Sequence, residues 1–267
     1  SSTAFDHKWI PGRNIYESIS VIVDEIFDNY LSRPGVRPPI LTQYCDGRQV
    51  QCRNRGWMTQ WGGDFGAQFA EKLIEPMGFK VLSIWESGYR HMTNNTRPLE
   101  KPEDLKGIKF RTNENSMKVA MYDALDASIV IMAFSDVYTG LQNGTINGQE
   151  NPLSNIYSSS LQDVQKYLSL TGHMYDAAPF VCNMDWFNSL PAEYQEILME
   201  EAKNAREIDL KENDENKYLD LLKEAGMEVN EVDKAAFQAK MDGVWADYAS
   251  QYADGQSWID LATSFNK

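Results

Sequence analysis

The sequence predicts an α/β fold, and three observations support that prediction. From about residue 64 onward, stretches with the spacing of a helix alternate with short apolar runs that are typical of strands. The chain has 267 residues, of which 42% are hydrophobic, and this is enough to bury a core in two modest lobes. The longest apolar runs, such as SIVIMAF, are far shorter than the roughly 20 residues of a membrane helix, so a globular protein is expected.

The first half of this alternation lies between residues 64 and 134. DFGAQFAEKLIEPM places its apolar side chains on one helical face, and FKVLSIW then has the composition of a strand. IKFRT alternates apolar and basic residues, which predicts a half-buried strand with Arg111 near its carboxyl end. A helix is expected from about Asn115, and SIVIMAF then resembles a buried strand.

The second half continues the pattern to the carboxyl terminus. DVYTGLQNG predicts a short helix closed by Gly144, and short strands are expected in GTINGQ, YLSLTGHM and APFVCNM. Pro191 opens a helical stretch that is predicted to run to about Ala225, which is long enough to brace two lobes. Two final helices are expected near residues 233–252 and 256–265.

The first 60 residues are harder to assign. IYESISVIVDEIFDNYL has the apolar spacing of an amphipathic helix, whereas RPGVRPP is expected to be an irregular connector. Cys45 and Cys52 flank a turn-like segment that a small disulfide could close. Three reduced, inert thiols, the third being Cys182, fit the sequence equally well.

Charge and missing motifs exclude several classes of function. The net charge of −14, with acidic and basic residues interleaved, leaves no basic stripe for nucleic acid. His7, His91 and His173 have no metal-ligand spacing, and no nucleotide-binding or nucleophile motif is present. We therefore expect no catalytic residue, no metal and no cofactor. The chain starts at Ser1 rather than at a methionine, which fits an exported, mature form, with or without a lipid anchor.

Four residues are predicted to lie at or just beyond the ends of successive strands. Arg90 follows FKVLSIW after a Glu-Ser-Gly turn, Arg111 ends IKFR, Phe134 ends SIVIMAF and Asn151 follows GTINGQ. If these strands share a sheet, the four side chains converge at one crevice, which is where open α/β sheets bind ligands. The planar fork of an arginine matches a carboxylate, so the cluster indicates an anion site. In the alternative, each arginine pairs with a resident acid, such as Glu86 or Glu114.

The segment from Glu86 to His173 also resembles a known family. The order and spacing of GYR, DLKGIKFR, FSDVYTGLQNG and NGQENP are similar to those of the solute-binding proteins of tripartite ATP-independent periplasmic (TRAP) transporters. The resemblance extends more loosely over about three quarters of the chain. It implies a two-lobed periplasmic-binding-protein-like fold with a hinge, in which residues 1–87 and 177–216 form one lobe and residues 88–176 and 217–267 the other.

The resemblance also implies a role for each candidate residue. Arg111 falls on the family's signature arginine, which holds the ligand carboxylate, and Arg90 corresponds to a second arginine used in part of the family. Phe134 matches the aromatic residue of the FSDVY motif, and Asn151 matches the amide of GQENP. Arg97 is expected to brace the structure. The protein would act as a periplasmic monomer that delivers its ligand to a TRAP membrane permease.

The first 60 residues depart from the family's usual opening, so the far end of the ligand is the least predictable part. Tyr44, Arg48 and Trp57 are candidate contacts there, although a structural role fits each of them better. A C4 to C6 carboxylate is the expected ligand, with a sugar acid as the alternative. An extracytoplasmic sensor and a hydroxy-acid lyase on the same fold stay open. Two unpaired guanidinium groups would repel across an empty cleft, so the empty protein is expected to rest open.

Overall fold

The computed structural model describes residues 63–251 and 255–264. The predictions that lie outside the described residues are the amino-terminal helix, the irregular connector and the proposals for Tyr44, Cys45, Arg48, Cys52 and Trp57.

Six strands in the described part of the chain form one mixed sheet. They are β1 (Phe79–Asn94), β2 (Lys109–Thr112), β3 (Ser128–Ile131), β4 (Gly148–Pro152), β5 (Tyr167–Asn183) and β6 (Glu228–Asn230). Their order across the sheet is β3-β2-β4-β1-β5-β6. β2 runs parallel to β3 and β4, whereas β1 is antiparallel to β4 and β5. The predicted α/β class is therefore confirmed.

β1 and β5 pair with each other along most of their length, and both are longer than the sequence predicts. The pairing shifts register between Glu86 and Gly88, and Gly88 has a φ of 92°, a conformation that favours glycine. The expected Glu-Ser-Gly turn is thus a bulge, which bends β1 without ending it. β5 is likewise one strand and not the two predicted from YLSLTGHM and APFVCNM. It contains Cys182, whose thiol is free.

β2, β3 and β4 end at the same edge of the sheet because they are parallel. Phe110 of β2 pairs with Ile129 of β3 on one side and with Gly148 of β4 on the other. β3 is the outermost strand, and Ile131 at its end is 56% exposed. The prediction of a buried strand in SIVIMAF is wrong, since only one neighbouring strand of the described sheet covers β3.

The helices surround this sheet. They are α1 (Asp64–Phe69), α2 (Ser116–Ala124), α3 (Val137–Gln142), α4 (Leu153–Ser158), α5 (Met184–Ser189), α6 (Ala192–Glu212), α7 (Glu215–Glu224), α8 (Lys234–Ala239), α9 (Asp242–Gln251) and α10 (Gly255–Ser264). α1 continues through a π-helical turn to a 3₁₀ turn that ends at Met77. The single helix predicted from Pro191 to about Ala225 is divided into α6 and α7, because Asp214 caps α7 by accepting from the Asn216 backbone N–H. The first of the two final predicted helices is divided as well, into α8 and α9.

α6 lies against the middle of β1 and is tied to its backbone. Arg206 Nε donates to the Ile84 carbonyl at 2.7 Å, and the Glu86 backbone N–H donates to Asp209 Oδ2 at 2.9 Å. Asn213 Nδ2 then donates to the Glu86 carbonyl at 2.6 Å. These bonds place the long helix beside the bulge in β1, where the sequence predicts that the lobes meet. The lobe boundaries themselves stay a prediction.

The buried hydrophobic side chains of the described residues form separate clusters. In one cluster, Phe110 stacks on Tyr122 with ring centres 5.6 Å apart, and Phe237 and Met241 pack against it without exposure to solvent. In another, the Trp258 ring packs edge-to-face against aromatic residues of α1. Phe237, Met241 and Trp258 therefore attach the carboxyl-terminal part of the chain to the core.

Candidate functional site

Three of the four predicted site residues lie at the edge where β2, β3 and β4 end. Arg111 is in β2, Phe134 begins the 3₁₀ turn after β3, and Asn151 is inside β4. Arg90 lies inside β1, opposite Pro152 of β4, and not after a strand and turn as the sequence predicts. Because β1 and β4 are neighbours, the prediction that these strands share one sheet is confirmed.

Arg111 and Phe134 form one contacting pair. Arg111 is 6% exposed, and its Nε donates to the Met132 carbonyl at 2.8 Å. Its guanidinium carbon lies 5.6 Å from the centre of the Phe134 ring, which is within the range of a cation–π contact. The carbonyl is neutral, so this hydrogen bond orients the guanidinium plane without cancelling its charge. A guanidinium fixed in this way is suited to a planar carboxylate.

Arg90 is bound by two carboxylates. Its Nε donates to Glu150 Oε2, and its Nη2 donates to Glu150 Oε1 at 3.1 Å and to the Glu150 carbonyl at 2.9 Å. Its Nη1 donates to Asp176 Oδ2 at 2.5 Å. The alternative that each arginine pairs with a resident acid therefore holds for Arg90, although the acids come from β4 and β5 and not from the neighbouring sequence.

These contacts correct one expectation about the empty protein. Mutual repulsion between Arg90 and Arg111 was the reason to expect an open cleft without ligand, but Glu150 and Asp176 already offset the charge of Arg90. Electrostatic repulsion between the two guanidinium groups therefore gives no argument for an open resting state.

Glu150 is the centre of a buried charge cluster that sequence reasoning missed. Its side chain has no exposed surface, and Lys118 Nζ from α2 lies 3.2 Å from Oε1. Burial by itself raises the pKa of Glu150, but the positive charges of Arg90 and Lys118, with hydrogen bonds from His173 and Arg90, hold that pKa well below its usual range. Glu150 is therefore ionised at neutral pH and needs its cations.

His173 completes this cluster as a neutral ring. Its Nε2 lies 3.3 Å from Glu150 Oε2, and its Nδ1 lies 2.7 Å from the Thr171 hydroxyl oxygen. Burial lowers the pKa of His173, and this outweighs the raising effect of Glu150. A neutral His173 that donates from Nε2 to Glu150 and accepts the Thr171 hydroxyl at Nδ1 satisfies both contacts.

Two signals in the sequence could have found part of this cluster. Glu150 is the glutamate of the NGQENP motif and lies beside Asn151. Because the motif is predicted to follow or form a short strand, its carboxylate would need a buried cation as a partner. His173 lies in the apolar run YLSLTGHM, where a polar ring needs a partner. No local pattern shows that Lys118 and Asp176, which come from distant elements, reach the same place.

Asn151 is held at both ends of its amide group. Its Oδ1 accepts from Arg90 Nη2 at 2.8 Å, and its Nδ2 donates to Gln149 Oε1 at 2.6 Å. Gln149 Nε2 donates in turn to the Thr93 hydroxyl at 2.8 Å, which donates to Gln165 Oε1. An amide nitrogen carries two hydrogens, so Asn151 can donate to a ligand while it keeps its bond to Gln149.

Glu86, which the sequence offered as a partner for the arginines, is held at the bulge of β1 beside α6 instead. Burial raises its pKa to about 7, against the hydrogen bond from Tyr175, which lowers it. The carboxylates of Glu215 and Asp209 contribute to this rise in the pKa of Glu86. Glu86 is therefore close to half protonated at neutral pH.

Arg97 has the bracing role that the sequence predicts. Its Nε donates to the Asp104 carbonyl at 3.0 Å, and its Nη2 donates to the Lys106 carbonyl. These bonds fix the turn that leads into β2 and therefore help to set the position of Arg111.

The part of the chain that the structure describes contains neither a cluster of metal-ligating side chains nor a membrane-spanning helix. Within residues 63–251 and 255–264, no group of three or more His, Cys, Asp or Glu side chains is placed to hold a metal ion. In the same part of the chain, no helix is both long and apolar enough to cross a bilayer.

Comparison with known proteins adds a family to this geometry. Residues 57–251 match the model of the DctP family, described as bacterial extracellular solute-binding protein, family 7. The chain is 41% identical over 167 residues to the 2,3-diketo-L-gulonate-binding periplasmic protein of Escherichia coli strain K12, covering 61% of this chain and 51% of that protein. It is 32% identical over 197 residues to the C4-dicarboxylate-binding periplasmic protein of Rhodobacter capsulatus, covering 71% and 59%.

A solved structure shows the same fold. The TRAP periplasmic solute-binding protein of Sulfitobacter sp. NAS-14.1, with bound β-D-galacturonate, superposes with a TM-score of 0.72 at 29% identity, covering 77% of this chain and 69% of that chain. The chain spans little more than half the length of the two sequence relatives.

Proposed function

Because the chain belongs to the bacterial extracellular solute-binding protein family 7, we propose that it captures a small organic acid and delivers it to a TRAP membrane permease. The ligand would be a C4 to C6 carboxylate, held between two lobes by an arginine–carboxylate clamp. The protein would act outside the cytoplasm as a monomer, without nucleic acid and without making or breaking a bond.

The observation that carries this proposal is the placement of Arg111. It is a buried guanidinium at the shared edge of three parallel strands, oriented by a neutral carbonyl and by the ring of Phe134. A carboxylate that leaves water for such a site loses its hydration and needs a fixed positive charge in return. At about 4 Å and an effective dielectric constant near 20, one guanidinium returns on the order of 4 kcal/mol.

The other predicted residues would share the remaining contacts. Phe134 would lie against the carbon skeleton, and the second hydrogen of the Asn151 amide would bind a carboxylate or hydroxyl oxygen. Arg90 would act mainly by fixing Asn151, since Glu150 and Asp176 already bind its guanidinium. Ligand binding would favour a closed arrangement of the lobes only as far as the ligand binds that arrangement more tightly.

Sugar acids form a second candidate class of ligand. The Escherichia coli relative is named for 2,3-diketo-L-gulonate, and the Sulfitobacter structure contains β-D-galacturonate; both compounds are sugar-derived acids. The Rhodobacter relative is named for C4-dicarboxylates. Both classes contain the carboxylate that Arg111 would hold. They differ in the remainder of the ligand, which carries a second carboxylate in one class and hydroxyl groups in the other.

A thermal-shift screen of organic acids and sugar acids tests this proposal. A ligand at about a hundred times its dissociation constant stabilises the folded protein by near 2.7 kcal/mol, which raises its melting temperature. The neutral alcohol with the same carbon skeleton serves as the control for each acid and should give no shift. If no carboxylate in the screen raises the melting temperature, the proposed function is wrong.

Recovery of the bound acid separates a carrier from an enzyme. After prolonged incubation with the protein, the acid should give an unchanged NMR spectrum, because the proposed site has no role for a general base. Conversion of the acid to a product would support the lyase alternative instead.

A further inference from the structure

Asp176 lies on the side of Arg90 that is accessible to solvent. The Arg90 guanidinium binds Glu150 through Nε and Nη2, and that side chain has no exposed surface. On the Nη1 side it binds Asp176, whose side chain is 26% exposed. The buried edge of Arg90 therefore faces a carboxylate from β4, and its outer edge faces a carboxylate from β5.

Within the cluster of charged groups described at Arg90, positive and negative charges are equal in number. Arg90 and Lys118 supply two positive charges, and Glu150 and Asp176 supply two negative charges. His173 adds no charge, because burial lowers its pKa and so favours the neutral ring. A second anion that enters this neighbourhood meets no net positive charge among these groups, and it meets the carboxylate of Asp176 at close range.

Arginine binds a carboxylate best through two parallel N–H groups. Glu150 already occupies the edge formed by Nε and Nη2, so the remaining paired edge is Nη1 with Nη2, and Asp176 occupies Nη1. A ligand carboxylate would have to displace Asp176 from Nη1 or share that nitrogen with it. Displacement would leave Asp176 without its guanidinium partner beside the incoming negative charge, so both routes are unfavourable.

We propose that Asp176 determines the charge of the ligand. The Asp176 carboxylate binds Arg90 in the place that a second carboxylate of the ligand would otherwise occupy. The site then accepts acids with one carboxylate, held at Arg111, and with a neutral, hydroxyl-bearing remainder, and it rejects dicarboxylates. This inference rests on the proposed function, because it narrows the class of acid that the same site binds.

Titration calorimetry with matched pairs of acids tests the inference. The probes are galactonate with galactarate and threonate with tartrate, since the two members of each pair differ only in whether the far carbon is a primary alcohol or a second carboxylate. The variant is Asp176→Asn, which keeps the shape of the side chain and removes its charge. Asp163→Asn makes the same chemical change at an exposed position, and Asp176→Glu keeps the charge in case the first variant folds poorly.

The wild-type protein is expected to bind the singly charged member of a pair at least tenfold more tightly. Asp176→Asn should reduce that preference at least tenfold, whereas Asp163→Asn and Asp176→Glu should keep it. A wild-type protein that binds the doubly charged acid equally well would overturn the inference, as would an Asp176→Asn variant with an unchanged preference. Both results would leave the proposed function standing. If no acid, either in these pairs or in the thermal-shift screen, binds the wild type or any variant, the proposed function fails and the inference fails with it.

Discussion

Replacing Glu150 by glutamine removes a negative charge that both Arg90 and Lys118 contact. The glutamine has nearly the same shape, and its oxygen can still accept one hydrogen bond, so the change is mainly electrostatic. Arg90 keeps Asp176 as a counter-ion, whereas the described ion pair of Lys118 is the one with Glu150.

The size of the effect follows from the burial of these groups. The Glu150 side chain has no exposed surface, and those of Arg90 and Lys118 are 6% and 9% exposed. Removing one partner of a buried ion pair costs about 3 to 5 kcal/mol, because the charge that is left has lost both water and its partner. Since Asp176 still offsets Arg90, we expect the lower end, a loss of about 3 kcal/mol in the free energy of unfolding.

Urea denaturation at pH 7 measures this loss, with Glu228→Gln as the matched control. Glu228 makes an ion pair with Lys166 at 3.1 Å, but both side chains are more than half exposed, so that change should have little effect. The deficit of Glu150→Gln should also shrink as the pH falls below the usual range of a glutamate, because the lowered pKa of Glu150 stabilises the folded protein only while the carboxylate is ionised. A Glu150→Gln variant as stable as Glu228→Gln would refute this reasoning.

Three further predictions concern other parts of the molecule. Glu86→Gln should raise the free energy of unfolding at pH 8 by about 3 kcal/mol and change it little at pH 4, because a pKa raised to about 7 means that the wild type loses stability as the pH rises from about 4.5 to 7. Denaturation at both pH values checks this, and equal effects at both would contradict it. Gly148→Ala should lower the melting temperature, at a cost of about 1 to 3 kcal/mol, because the new methyl group would lie 2.7 Å from the Thr93 carbonyl oxygen and from the Phe110 ring; an unchanged melting temperature would be the contrary result. Phe134→Ala should weaken acid binding by about 1 kcal/mol or more in calorimetry, and Phe134→Trp should restore it, because the ring contacts a guanidinium.

Much of the fold could be predicted because the helices and short strands have clear local patterns. IKFRT alternates apolar and basic residues, and it forms β2 with Phe110 buried. Asn115 was expected to open a helix, and its side chain accepts from the Met117 and Lys118 backbone N–H groups at the start of α2. The position of Arg111 at a strand end followed directly from such patterns.

The rest depends on contacts between residues that are distant in the chain. Glu86 and Gly88 have the composition of a turn, and only the pairing of β1 with β5 keeps them within a strand, as a bulge. The carboxylates that bind Arg90 come from β4 and β5, so the sequence around the arginine could not identify Glu150 or Asp176. Local pattern thus found the candidate arginines and amide, and tertiary pairing supplied the carboxylates that bind Arg90.

Titration calorimetry on Arg111 variants tests the central claim most directly, with the acid that gives the largest thermal shift. If Arg111 holds the ligand carboxylate, Arg111→Ala should weaken binding by about 3 to 5 kcal/mol. Arg111→Lys should not restore the affinity, because it keeps the charge but loses the planar fork. If either folded variant binds the acid within about tenfold of the wild type, a difference of under about 1.4 kcal/mol, Arg111 does not anchor the ligand.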